Sequence, residues 1–136
     1  MDEDGWLRRH GLHPQGRDLE EVRALLVEQT RLERRGQGLG DTLLMRLCCV
    51  QLFHGGALDD VLLVWRAKAA SMDAGVSIDV QLLCGGGLAA TKAYLSGRRT
   101  EESEAALAGI LDCERAGDFA DFSPAPQSAW YAAYYG

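Results

Sequence analysis

Apolar residues recur along the chain mostly at three- and four-residue spacing, the period that gathers them on one face of an α-helix. From Asp18 onward Leu19, Val22, Leu25, Leu26 and Leu32 form such a stripe. Asp18 with Glu21 three residues on has the form of a capping box, Arg34 and Arg35 suit the negative helix end, and Gly36 stops it. A second helix is predicted over 42–54, capped by Asp41 and ended by Gly55 and Gly56. Its Leu43, Leu44, Met45, Leu47, Cys48, Cys49, Val50, Leu52 and Phe53 leave almost no polar side, the pattern of a central helix. A third is predicted from Ala57 to Gly75, with Asp59 and Asp60 in the first turn and Leu58, Val61, Leu62, Trp65, Ala69 and Met72 on one stripe. The second and third then form a hairpin around Gly55–Gly56.

The stretch Val76–Cys84 admits two readings. Val76, Ile78, Val80, Leu82 and Cys84 alternate with polar residues as in a half-buried strand, but no other segment alternates, so a strand has no partner. The same residues read as a short helix, and the helical reading is favoured. Gly85, Gly86 and Gly87 follow, then a helix-like segment carrying Thr91 and Lys92. The segments GGALDDVLLVW from Gly55 and GGGLAATKAYL from Gly85 share the glycine turn and the leucine after it, a weak internal echo that favours paired helices. Thr100 caps an acidic last helix over 100–117. Residues 1–17 are read as a polar lead-in and 18–136 as one helical domain. Its 118–136 end is expected as an extended aromatic tail, because Pro124 and Pro126 interrupt helix formation. The expected fold is all-α: five or six helices packed as antiparallel hairpins, a small bundle or a short helical-repeat-like array.

Charge changes the functional picture more than size does. The chain has 136 residues and a net charge of −6, all of it arising from Thr100 onward, where seven acidic residues face Arg115 alone. An acidic end disfavours nucleic acid and suits a basic protein partner. No apolar run is long enough to span a bilayer, so a cytoplasmic protein without a membrane partner is expected. Cys48, Cys49, Cys84 and Cys113 form no CxxC pair, and His10, His13 and His54 complete no zinc-ligand spacing. Buried free thiols, no metal and no cofactor are expected.

Two function classes remain. The leading one is a protein-binding module, in one version an inhibitor or immunity-type protein whose acidic surface covers a basic site, with Glu101, Glu102, Glu104, Trp130, Tyr131 and Tyr134 as partner-facing residues. Self-association stays open. The other is a phosphate-ligand site or enzyme at the glycine turn, using the amides of Gly85, Gly86 and Gly87 with Thr91 and Lys92. Against it, a Walker loop places its lysine directly after a glycine and before Ser or Thr, whereas here Thr91 precedes Lys92 well inside the segment. Asp73, Asp79, Arg66 and Lys68 are expected to gather at one end of the hairpin, and two carboxylates that meet in a cleft can do acid/base work. No nucleophile–histidine pairing is identifiable, so catalysis is the less favoured of the two classes.

Overall fold

The segment with no polar side becomes the centre of the molecule. A computed structural model describes Met1–Gly136 as eight α-helices without a strand. They are α1 (Glu3–His10), α2 (Arg17–Arg35), α3 (Thr42–Gly55), α4 (Val61–Lys68), α5 (Met72–Ser77), α6 (Leu88–Arg98), α7 (Glu101–Arg115) and α8 (Pro124–Tyr135). Single 3₁₀ turns lie at Leu58–Asp60 and Val80–Cys84. α1, α2, α4 and α5 pack around α3, while α6 pairs with α7 on the outer side of α4. Asp41 caps α3 by accepting from the amides of Leu43 and Leu44, and every residue from Met45 to Phe53 except Arg46 is buried. Fully burying side chains of this kind contributes roughly 1.5–3 kcal/mol each, so α3 organises the core.

Four expectations about local structure change. The helix expected over Ala57–Gly75 breaks after Lys68: Ser71 caps a new helix by accepting from the Ala74 amide, and its hydroxyl donates to Glu33 at 2.6 Å. Glu33 is buried, and it also accepts from the amides of Gly38 and Gly40 at 3.0 Å each. These bonds, from Ser71 foremost, hold its carboxyl below the usual range against the opposing effect of burial. The second shift is Val76–Cys84, which is neither a strand nor one helix: α5 ends at Ser77 and a 3₁₀ turn begins at Val80. The third is the aromatic terminus, which is helical rather than extended. Pro124 occupies the start of α8, where a residue without an N–H removes no intrahelical bond. The polar lead-in is also helical, with Trp6 and His10 of α1 buried.

The two glycine turns prove to be packing partners. A Cβ on Gly85 would lie 2.4 Å from the Phe53 carbonyl oxygen, and one on Gly86 would lie 3.1 Å from the Gly56 carbonyl oxygen. Backbone therefore meets backbone where the end of α3 touches the end of the Val80–Cys84 turn, an approach that any side chain would block. Trp65 packs against Gly109 of α7, whose added Cβ would come within 3.0 Å of its ring. The glycine that weakens α7 by roughly 1 kcal/mol relative to alanine is thus the seat of a tryptophan from α4.

Candidate functional site

The C-terminal helix docks through fully buried Tyr131 and half-buried Tyr135 and leaves two other rings outside. Tyr131 is fully buried, its ring 6.3 Å from Phe53 of α3 and its hydroxyl donating to Asp79 at 2.5 Å. Burial first, then the carboxylate of Asp79, raises the Tyr131 phenol well above its ordinary pKa. Arg46 reaches from α3 to the same place. Its guanidinium lies 3.8 Å from Asp79 and 4.7 Å from the ring centroid of Tyr134, a cation–π arrangement. One helical turn apart on α8, Trp130 and Tyr134 stack face to face, centroids 5.6 Å apart and planes 7° from parallel. They remain 52% and 53% exposed.

Beside Trp130 of this pair opens a cleft of about 530 Å³. It is lined by Arg46 and Asp79, by Trp130, Gln127 and Pro126 of α8, and by Gln81 and the turn Asp118–Ser123. That turn is fixed rather than loose: Gln81 donates to the Asp118 carbonyl at 2.7 Å, and Phe119 is buried edge-on to Phe122 at 5.4 Å. Asp118 and Asp121 are solvent-exposed at the mouth. Three carboxylates and one arginine around an aromatic rim make a surface of net negative sign. Such a surface attracts cations both by charge and by the faces of the rings.

Most residues expected to form a phosphate site are placed elsewhere or engaged. Gly85 and Gly86 fill the contact between turns, and Gly87 begins α6 with a φ of 99°. Thr91 is buried with its hydroxyl on the Gly87 carbonyl at 2.7 Å, and Lys92 forms a pair with Glu114 at 3.0 Å. Of the expected hairpin cluster only Lys68 and Asp79 are brought near each other, close enough for the carboxylate to act on the lysine. Arg66 pairs with Glu102 of α7 at 2.5 Å, Asp73 is exposed beside Gln37, and Asp79 belongs to the Tyr131–Arg46 cluster. Lys68 donates to the carbonyls of Gly75 and Ile78 at 2.5 Å each, and so caps the end of α5. Burial lowers its pKa.

Of the expected partner-facing residues, Trp130 and Tyr134 are exposed, as are Glu101 and Glu104, whereas Glu102 is committed to Arg66 and Tyr131 to the interior. The sequence reading missed Arg46, Asp118, Asp121 and Gln127. Arg46 interrupts the most apolar helix, and that was the one available signal. Cys48, Cys49 and Cys84 are buried free thiols, with Cys48 pushed up to about 12 and Cys84 to about 11, and Cys113 is half-buried. No helix is long and apolar enough to cross a membrane. Comparison with protein-family models, with curated proteins and with solved structures gives no match.

Proposed function

We propose that this chain is a protein-binding module and that it takes a basic segment of its partner on the face built by α8 and the cleft beside it. The observation that carries the reading is the half-exposed stacked pair Trp130–Tyr134, whose Trp130 lines a cleft that holds Asp79, Asp118 and Asp121. Exposed aromatic residues are enriched at interfaces because they offer a large rigid area at low cost in side-chain entropy. A lysine or arginine of the partner would meet carboxylates in the cleft and ring faces at its rim. Tyr134 already receives the guanidinium of Arg46 in this manner. The net charge of −6 extends the same sign of field into solution and would accelerate encounter with a basic surface, such as the basic active site of a nuclease.

The test is a calorimetric titration with an arginine- and lysine-rich peptide, beside a neutral peptide of the same length, at two salt concentrations. Saturable binding of the basic peptide alone is expected, weakening with salt. The Trp130→Ala plus Tyr134→Ala variant and the Asp118→Asn plus Asp121→Asn variant should each weaken it roughly tenfold or more. Equal binding of the neutral peptide, or indifference to both variants, would sink the reading.

A further inference from the structure

Away from the α8 face, the end of α1 is folded against the first turn of α2 by the Gly11–Gly16 connection, whose two glycines both have positive φ. This reversal places His10 between Asp18 and Glu21. Its Nδ1 is 3.5 Å from an Asp18 oxygen, and its Nε2 is 3.3 Å from a Glu21 oxygen. One ring nitrogen and one oxygen from each carboxylate lie within 4.8 Å of one another. The His10 side chain is only 1% exposed, and Trp6 packs on the ring with centroids 4.1 Å apart. Neither ring nitrogen makes a hydrogen bond.

That last observation separates two readings of the cluster. A protonated imidazole clasped by two carboxylates satisfies both N–H groups with aligned, charge-assisted bonds, and neither is formed here. One ion takes a single ring nitrogen, and that nitrogen lies within 4.8 Å of one oxygen from each carboxylate. Ligands around a tetrahedral ion at roughly 2.0–2.2 Å stand about 3.3–3.6 Å apart, so binding requires the carboxylates to draw in. The ring is held by Trp6 while the two carboxylates are solvent-facing at 59% and 41% side-chain exposure, free to close by rotamer changes. We infer that His10, Asp18 and Glu21 form a binding site for a first-row divalent transition ion, with water in its open positions. An imidazole nitrogen with two carboxylates suits Zn²⁺ better than Mg²⁺, which prefers an all-oxygen octahedral shell. The bound ion ties α1 to α2. It also explains why Asp18 and Glu21, spaced as a capping box, do not cap: α2 starts after Gly16 with no side-chain cap, and their carboxylates turn to His10 instead.

The experiment is a calorimetric titration of the full chain with Zn²⁺, and separately with Mg²⁺. One equivalent of Zn²⁺ should bind and raise the melting temperature, with Mg²⁺ far weaker. Asp18→Asn and Glu21→Gln, both at exposed carboxylates, should keep the fold by circular dichroism and each weaken Zn²⁺ by roughly tenfold or more. His10→Gln should abolish binding, and the carboxylate variants carry the test if that buried change unfolds the protein. His13→Gln alters the separate stacked pair of His13 and His54, rings 4.2 Å apart, and should leave Zn²⁺ affinity unchanged. Unchanged affinity in both carboxylate variants, loss in His13→Gln instead, equal binding of Mg²⁺, or no Zn²⁺ binding at all would each overturn the assignment.

Discussion

α1 and α8 are each tied to the body of the protein by a hydrogen bond from a buried aromatic residue. Trp6 donates its indole N–H to Gln51 of α3 at 2.9 Å, and Tyr131 donates to Asp79 beside Arg46 of α3. Gln51 is itself fully buried and donates onward to the Gly11 carbonyl at 2.7 Å, so the α1 anchor closes a network that also fixes the chain leaving the helix. The outward sides differ. α1 presents Asp4, Arg8 and Arg9 to water, whereas α8 has no charged residue and presents Trp130 and Tyr134. A helix that buries its apolar residues and solvates the rest is explained by folding. One that docks through Tyr131 and still exposes two stacked rings is not, and that surplus is what points to a partner.

The largest expected effects come from removing an anchor. Trp6→Ala and Tyr131→Ala should each cost about 3–5 kcal/mol in urea unfolding. A loss under ~1 kcal/mol for Tyr131→Ala, small against that range, would mean α8 is held by something else. Gln51→Leu follows at about 2–4 kcal/mol, because it strands the Trp6 N–H and the Gly11 carbonyl in the interior. Tyr131→Phe keeps the ring and removes only the bond to partly exposed Asp79, so about 1 kcal/mol is expected. An effect as large as that of Gln51→Leu would erase the distinction between a closed network and a single tether.

Alkaline pH should act on α8 and spare α1. Burial raises the phenols of both Tyr131 and Tyr135 above the ordinary value near 10. The folded protein therefore keeps its protons where the unfolded chain loses them. The stabilisation is complete below pH about 10 and is lost as pH rises from there toward the folded-state values. The buried thiols add a loss of the same sign. An alkaline titration followed by circular dichroism should show the variant Tyr131→Phe plus Tyr135→Phe losing less stability across this window than the unmodified chain. Equal losses would assign the whole effect to the thiols. The smallest expected effect is on the outer rings: Trp130→Ala plus Tyr134→Ala should move stability by no more than about 0.5 kcal/mol per residue while weakening the basic peptide.

Where a helix depends on neighbours in the chain, the sequence reading is close to the structure. α3 keeps its Asp41 cap and its glycine end, and α7 keeps its Thr100 cap, closed by Ser103 rather than by a glutamate. The candidate site was far less legible. Trp130 and Tyr134 stood out as a crowd of aromatics, but nothing local told which of the four terminal rings would turn inward. Asp79 looked like a turn residue, and its partners Tyr131 and Arg46 lie 52 and 33 positions away in the sequence. The spacing of Asp18 and Glu21 suggested capping, since the approach of His10 depends on a reversal through Gly11 and Gly16.

Period, caps and glycine stops sufficed to establish an all-helical chain with α3 at its centre, because these are properties of a few consecutive residues and of their preference for water or oil. Other features belong to the packed molecule: the break after Lys68 where Ser71 answers Glu33, the contact between the two glycine turns, the exposed stack on α8 and the pocket of His10. Each joins groups from different parts of the chain, and whether a carboxylate, a ring or a bare glycine is useful there depends on which distant atoms the fold brings within a few ångströms.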